Sequence, residues 1–289
     1  MRVAVTGATG TIGRVVLREL EARGDSAVVV SRTPEAVRDH EAMGWDDLDL
    51  SGVAGVIHLA GEELAQRWND ATKRRIRESR ELGTRRLVEA LRHADPRPGV
   101  LVSQSAEGIY PRADAPVTED APPGRGFLSE VVQAWEREAR AAEELGMRVV
   151  ITRTGVVLSR EGGALPKMLV PFKLGVGGPV AGGHQPFPWI DVDDAAGALV
   201  FLLHHSGAQG PVNVVAPDPQ TNRSFTKALG RAIHRPTVVP VPAPVLKVIY
   251  GEMSTTVLEG SNPDPAKLLG LGYVFRHPDL DGALRDEVG

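Results

Sequence analysis

Three glycines near the start of the chain are spaced as in a phosphate-binding turn. Gly7, Gly10 and Gly13 follow the apolar segment from Arg2 to Thr6, which is typical of a short buried strand. Thr11 then opens a helical pattern with apolar residues on one face. A glycine-rich turn between a strand and a helix lets the backbone approach a pyrophosphate, which the N-terminal amide groups stabilise. The opening of the chain therefore predicts a nucleotide-binding turn.

A second chemical signal stands at the end of the next predicted strand, Ala27 to Val30, which runs into Ser31-Arg32-Thr33. A cofactor with a free ribose 2′-hydroxyl favours Asp or Glu near this point, roughly 20 residues past the glycines. This segment has neither. A guanidinium can bind a 2′-phosphate through a fork of N–H groups. Arg32 therefore predicts NADP(H) as the cofactor, and the alternative is a solvated loop arginine.

The composition excludes several classes of protein. The chain has 289 residues, 42% hydrophobic and 24% charged, with a formal net charge of -4. This profile suits a globular protein and lacks the basic excess that nucleic-acid binding favours. The 0 cysteines rule out disulfides and Cys-ligated zinc. With no signal-peptide pattern and no apolar run that could span a bilayer, we expect a cytoplasmic protein. We expect a monomer or homodimer with no nucleic-acid, membrane or metal partner.

The apolar periodicity alternates between strands and helices through the first half of the chain. Predicted strands at 53–60, 100–103 and 147–152 alternate with predicted helices at 66–93 and 128–145. Such a series is typical of a parallel sheet in a doubly wound α/β fold. His58 stands in the middle of one of these strands, where a packed core histidine is expected rather than a catalyst.

The pattern changes after Leu158, where a long loop rich in Gly and Pro, with interleaved aromatic residues, runs to Asp194. Long loops in compact domains are usually functional. We expect residues 1–165 and 189–216 to form the nucleotide-binding domain, and residues 166–188 and 217–289 to form a smaller, mixed substrate domain.

Motifs along nearly the whole chain carry a family resemblance. They include TGATGTIG at the glycine turn, HLAGE at 58–62, SRELGT at 79–84, RTGVVLSREGGAL at 153–165 and GGHQPFPWIDVDD at 182–194. With these motifs the chain resembles the extended short-chain dehydrogenase/reductase superfamily. Within it, the chain is similar to the atypical epimerase-family proteins that end in a small C-terminal domain of unknown function.

The resemblance implies a Rossmann-type fold and a bound NADP(H). The contacts that it implies come from the glycine turn, the end of the second strand, the segment after the 53–60 strand and the arginine of SRELGT. These residues are Gly7, Thr9, Gly10, Thr11, Ile12, Gly13, Ser31, Arg32, Leu59, Ala60, Gly61, Glu62 and Arg80.

The usual catalytic pair of the superfamily is missing from the sequence. Its chemistry needs a Tyr whose phenol is acidified by a Lys one helical turn later, plus a Ser that hydrogen-bonds the substrate oxygen. None of the 3 tyrosines has Lys four residues later. Phe127 and Val131 stand where the pair is expected, and neither is ionisable. Ser105 remains in the place of the catalytic serine.

A substitute proton donor has several candidates: Tyr110, Glu107, His184 or a water. Each also has a simpler explanation, since Tyr110 could serve packing and the other two could be solvated loop residues. Two functions remain open. The first is an NADP(H)-dependent, epimerase-like oxidoreductase acting on a small carbonyl or alcohol, with Gln185, Phe187 and Trp189 in its substrate pocket. The second is an NADP(H)-binding regulatory or scaffold protein without turnover.

Overall fold

A computed structural model describes residues 1–288, apart from the side chain of Ile249. Its strands are β1 (Arg2–Thr6), β2 (Ser26–Ser31), β3 (Glu41–Gly44), β4 (Gly55–His58), β5 (Val100–Ala106), β6 (Pro116–Val117), β7 (Arg148–Thr154), β8 (Val156–Leu158), β9 (Pro186–Phe187), β10 (Trp189–Asp191), β11 (Gly210–Val214), β12 (Gln220–Thr221) and β13 (Asn262–Pro263). Its helices are α1 (Thr11–Ala22), α2 (Asp70–His93), α3 (Phe127–Arg140), α4 (Leu165–Lys173), α5 (Val192–His204), α6 (Asn222–Ala232), α7 (Ala243–Tyr250), α8 (Ser254–Leu258), α9 (Ala266–Gly270) and α10 (Leu280–Val288).

The central sheet has seven strands in the order β11-β7-β5-β4-β1-β2-β3, and every neighbouring pair is parallel. This confirms the predicted doubly wound α/β fold. The strand order reverses beside β1, which has β2 on one side and β4 on the other. In open α/β sheets, ligands bind in the crevice at the carboxyl ends of the strands where the order reverses. The glycine turn lies at this crevice because it directly follows β1.

Helices cover both faces of the sheet. Because side chains alternate along a strand, Val3 points to the opposite face from Ala4. Val3 packs in one buried cluster with Val16 of α1 and Leu199 of α5, whereas Ala4 packs in a second cluster with Leu87 of α2. Burial on both faces explains why the strands read as continuous apolar runs. Among residues 1–288, every helix is too short or too polar to cross a membrane.

The structure corrects two sequence predictions, one at the start of a helix and one within the expected long loop. The helix expected at 66–93 begins at Asp70, because the Asn69 side chain accepts a hydrogen bond from the Thr72 amide at 2.9 Å and caps the helix. The region expected to be a long loop contains α4, whose start at Leu165 is followed by a proline in the first turn. Proline is tolerated there because the amide it lacks has no partner within the helix.

The smaller region beyond the sheet is built from short strand pairs and helices. β9 pairs with β12, β6 with β13 and β8 with β10. Leu165 of α4, Phe225 of α6 and Leu284 of α10 share one buried cluster. The predicted division of the chain into two domains at 165, 189 and 216 stays a prediction.

The C-terminal segment is anchored to the face of the sheet that carries α1 and α5. Asp194, fully buried in the first turn of α5, accepts hydrogen bonds from the Tyr273 hydroxyl at 3.0 Å and from the amides of Arg276 and His277 at 2.8 Å each. The Arg276 guanidinium also pairs through two nitrogens with the Glu19 carboxylate of α1, at 2.7 Å each. The segment that carries Arg276 is thus linked by an ion pair to α1, the helix that follows the glycine turn.

Candidate dinucleotide site

The first glycine of the turn is required by both conformation and space. Gly7 has φ +67°, a region that side chains other than glycine rarely adopt. A Cβ at Gly7 would lie 2.8 Å from the carbonyl carbon of Leu59 and 2.9 Å from the amide nitrogen of Ala60. The turn therefore packs directly against the segment that follows β4, and these two backbones form the floor of the crevice.

The other two glycines have different surroundings. A Cβ at Gly13 would lie 2.3 Å from the Gly7 carbonyl oxygen, so this glycine lets α1 pack against the turn. A Cβ at Gly10 would meet one backbone oxygen, that of Gly7 at 3.2 Å, and otherwise open space. Gly10 is also the N-cap of α1 and provides no side-chain cap for the first amides. An uncapped helix N-terminus beside open space fits a pyrophosphate, because its amides stabilise negative charge.

The segment after β4 is held in place by Thr6 and Arg80. The Thr6 hydroxyl oxygen accepts hydrogen bonds from the amides of Leu59 and Ala60, at 3.1 Å each. Arg80, 7% exposed, donates to the carbonyl of Glu62 at 3.1 Å, and a Cβ at Gly61 would lie 3.3 Å from its guanidinium carbon. Burial lowers the pKa of Arg80 to about 10. Arg80 thus supports the loop, and its contact with a pyrophosphate stays a prediction.

His58 is a core residue, as the sequence predicted. It is fully buried, with Nδ1 2.7 Å from the Thr6 hydroxyl and Nε2 3.0 Å from the Thr84 hydroxyl. Burial, followed by the nearby charge of Arg80, lowers the pKa of His58 from 6.5 to about 4. The ring is therefore neutral at physiological pH and links β4 to β1 just below the glycine turn.

Charged side chains gather at the end of the crevice where β2 ends. The Arg32 side chain is exposed, and the half-buried Ser31 hydroxyl accepts from the Thr33 amide at 3.1 Å. Glu62 accepts from Gln66 at 3.0 Å and from the Nε of Arg75 at 3.2 Å. The hydrogen bond from Gln66, together with the charges of Arg75 and Arg32, lowers the pKa of Glu62. The sequence analysis did not single out Arg75, because its contact with Glu62 depends on the path of the loop after β4.

Ser105 lies in a buried network that the sequence did not predict. Its hydroxyl, 2% exposed, donates to the Glu136 carboxylate at 2.7 Å. Arg153 holds that carboxylate with its Nε at 2.9 Å and an Nη at 3.0 Å. Two-point pairing with a guanidinium fixes the orientation of the Glu136 carboxyl group. The Ser105 proton is therefore committed to Glu136, and its oxygen lone pairs remain able to accept a hydrogen bond.

Tyr110 belongs to the same network. Its hydroxyl donates to the Asn213 side chain at 2.6 Å and accepts from Arg153 at 3.0 Å. Tyr110 is 6% exposed, and burial raises its pKa despite the opposing effect of Arg153. Within residues 1–288, the cation at its phenol is this arginine and not a lysine. These contacts give Tyr110 a packing role, the simpler of the two explanations that the sequence left open.

Phe127 and Val131, which the sequence predicts to stand in the place of the usual catalytic pair, lie on one face of α3. Both pack in the small cluster built around Trp68 and Ile76. The Phe127 ring meets the Trp68 ring edge-on at 5.3 Å, and the ammonium of Lys73 lies 4.9 Å from the Phe127 ring centre. The Phe127 ring therefore has a lysine ammonium beside it, itself paired with Glu252 at 2.6 Å, but carries no hydroxyl.

The residues expected to line a substrate pocket are mostly used in packing. Gln185 donates to the carbonyls of Val180 and Val257 at 3.3 and 3.1 Å. Phe187 stacks on Phe225 with ring centres 4.0 Å apart, and Trp189, 1% exposed, donates to the Asp218 carbonyl at 2.8 Å. We therefore do not propose these three as substrate contacts.

Two further candidate donors differ in environment. His184 has an exposed side chain. The Glu107 carboxylate accepts from the Ser261 hydroxyl at 2.6 Å, and burial raises its pKa. Neither is hydrogen-bonded to Ser105 within residues 1–288.

The parallel sheet, its reversal of strand order and the glycine turn at that point define a Rossmann-type dinucleotide-binding protein. Two family models match the chain. The NAD dependent epimerase/dehydratase family matches residues 3–216, and a domain of unknown function (DUF1731) matches residues 241–287. The chain belongs to the NAD dependent epimerase/dehydratase family, which confirms the resemblance carried by its motifs.

Several relatives match over the full chain. The Epimerase family protein SDR39U1 of Bos taurus is 39% identical, with 100% of both chains covered. An Epimerase family protein of Staphylococcus aureus (strain MRSA252) is 34% identical, with 98% of each covered. The crystal structure of human SDR39U1 (isoform 2) with NADPH is 35% identical, with a TM-score of 0.93 over 100% of this chain and 99% of that one. The UDP-glucose 4-epimerase of Thermus thermophilus with NAD, at 21% identity, TM-score 0.78 and coverages of 100% and 98%, is similar in fold.

Proposed function

We propose that this protein binds NADP(H) in the crevice between the glycine turn, Arg32 and the segment 59–62. The observation that carries the proposal is the turn itself. The space where a Cβ would lie is occupied by neighbouring backbone at Gly7 and Gly13, whereas it is open at Gly10, at an uncapped helix start. That arrangement leaves room and amide donors for a pyrophosphate. The NADPH-bound human relative supports the same cofactor for this chain.

We further propose that Arg32 makes the phosphorylated cofactor the preferred one. It follows β2, where a 2′-phosphate is recognised in this fold, and a guanidinium can form a fork of hydrogen bonds to it. Calorimetry should show tighter binding of NADPH than of NADH, and Arg32→Ala should remove most of the difference. Equal affinities of the parent protein for the two cofactors would refute this assignment.

The activity that we propose is an epimerase-like oxidoreduction of a small carbonyl or alcohol. When bound, the cofactor supplies or accepts a hydride, which requires positioning and electrostatics around the nicotinamide. In the chain itself, Ser105 would accept a hydrogen bond from a substrate hydroxyl, because its own proton is held by Glu136. A serine that accepts a hydrogen bond and does not donate one fits a substrate alcohol better than a substrate carbonyl in direct contact with Ser105.

A second function stays open, that of an NADP(H)-binding regulatory or scaffold protein. It is favoured by the absence of an ionisable group at Phe127 and Val131, which leaves no Tyr–Lys pair to transfer a proton. A screen of carbonyls and alcohols with the cofactor-loaded protein, followed by nicotinamide absorbance, separates the two. Turnover that falls on Ser105→Ala with cofactor affinity unchanged supports the enzyme, and no turnover with any compound supports the regulatory protein. Cytoplasmic location and a monomeric or homodimeric state remain predictions of the sequence.

A further inference from the structure

The segment 159–163, here called the cover loop, lies against the start of α1. A Cβ at Gly162 would lie 2.3 Å from the Thr11 hydroxyl oxygen, so the loop backbone touches the first residue of the helix. Arg14, one turn into the helix, has an Nη 3.7 Å from the Glu161 carboxylate. The cover loop therefore sits beside the amides that would hold a pyrophosphate.

On its other side, the cover loop is hydrogen-bonded to α10, the last helix of the described residues. The Arg160 amide donates a hydrogen bond to the carboxylate of Glu287 in α10. An amide bonded to an ionised carboxylate forms a stronger hydrogen bond than a neutral pair. The loop is thus held between the nucleotide-binding helix on one side and the C-terminal helix on the other.

The C-terminal helix is itself rigidly placed. Leu280 and Leu284 are fully or almost fully buried, the Leu280 amide donates to Asp218 at 3.0 Å, and Asp281 pairs with Arg231 of α6 at 2.6 Å. The segment before it is anchored through Asp194 and Glu19. Glu287 therefore lies on a well-packed helix, and its hydrogen bond with the Arg160 amide can hold the loop in one position.

We propose that Glu287 is a positioning residue of the dinucleotide site, through which the C-terminal domain holds the cover loop over the start of α1 and slows the release of NADP(H). This inference rests on the proposed function, because it presumes a cofactor at the glycine turn. It assigns a role to the domain of unknown function, namely control of how long the cofactor stays bound.

The test measures NADPH dissociation by stopped-flow fluorescence on the full chain, with excess unlabelled NADP⁺ as competitor. Glu287→Ala removes the acceptor of the Arg160 amide and should speed dissociation roughly tenfold, the effect expected from losing one hydrogen bond to a charged group. Glu287→Gln keeps an acceptor oxygen and should restore most of the slow release. The matched control is Asp286→Ala, because this neighbouring carboxylate faces His277 at 3.4 Å and not the cover loop.

Hydrogen exchange without cofactor gives a second readout that a loss of general stability would not reproduce. Glu287→Ala should raise exchange in residues 160–163 while the strands of the sheet stay protected. Gly162→Val, which places a branched side chain against Thr11, should raise both exchange and dissociation without altering α10.

The outcomes separate the two proposals. A parent protein without measurable NADPH affinity refutes the proposed function. A parent that binds NADPH, with folded Glu287→Ala and Gly162→Val variants that release it at the parental rate, overturns this inference alone.

Discussion

The buried histidine below the glycine turn should make the fold sensitive to acid. The Thr6 hydroxyl oxygen already accepts from two amides, so its own proton must be donated to Nδ1 of His58. The ring is then the tautomer that carries its proton on Nε2 and donates to Thr84. Protonation of Nδ1 would bury a charge near Arg80, and burial followed by the Arg80 charge is the cause of the lowered pKa. It would also break the hydrogen bond from Thr6.

The magnitude follows from linkage. The pKa of His58 falls from 6.5 to about 4 on folding, so the unfolded chain binds more protons and stability is lost as the pH falls through this window. Stability from this residue is complete above about pH 7. Between about pH 7.5 and about pH 5 the loss should be ~2 kcal/mol, with a limit of ~3.4 kcal/mol below the folded pKa.

Urea unfolding at the two pH values, for the parent and for His58→Gln, measures this contribution. Glutamine can accept from Thr6 and donate to Thr84 but does not titrate, so the variant should lose ~2 kcal/mol less than the parent on acidification. His184→Gln, at an exposed histidine, is the control and should keep the parental pH dependence. Parent and His58→Gln curves of equal pH slope, or a His58 resonance that titrates near 6.5, would refute the tautomer and burial argument.

Three other outcomes follow from the site. Gly10→Val should abolish NADPH binding in calorimetry with the fold retained, because it fills the open space above the turn; normal binding would place the phosphate site elsewhere. Glu136→Ala should cost about 3–5 kcal/mol in denaturant unfolding, since it leaves Arg153 buried without its carboxylate, and Glu136→Gln should cost less; equal small losses would contradict the pairing. Glu62→Gln should raise the preference for NADPH over NADH roughly fivefold at low salt, because a like charge near the 2′-phosphate is removed; an unchanged affinity ratio would separate Glu62 from that phosphate.

The fold and the glycine turn were predictable because their signals are local. Buried strand, glycine spacing and helical periodicity lie within the first twenty or so residues, and the alternation that follows fixes a parallel sheet. Gly7 and Gly13 are also fixed by sterics, because a Cβ at either position would overlap neighbouring backbone atoms. His58 was interpreted correctly for the same reason, since a histidine within a buried strand is surrounded by the sheet.

The buried network around Ser105 was not predictable because its partners are remote in sequence. Ser105 meets Glu136 on a different helix, and Tyr110 meets Asn213 on the strand at the edge of the sheet. Each of these residues has an ordinary solvated or packing explanation when read alone. The packing of Phe187 and Trp189 was not predictable for a related reason: aromatic residues in a Gly- and Pro-rich loop suit a pocket and a small core equally well, and partners such as Phe225 come later in the chain.

The absence of the Tyr–Lys pair has a specific chemical meaning in this structure. In the usual arrangement, the lysine charge lowers the pKa of a phenol that then transfers the proton. Here Val131 supplies no charge, yet α2 brings the Lys73 ammonium to 4.9 Å from the Phe127 ring. That ammonium is paired with the Glu252 carboxylate at 2.6 Å, so its charge is balanced, and the ring beside it has no ionisable oxygen. If Phe127 and Val131 stand in the place of the pair, an oxidoreduction here needs another proton donor, and Ser105 does not fill that role directly because its own proton is held by Glu136.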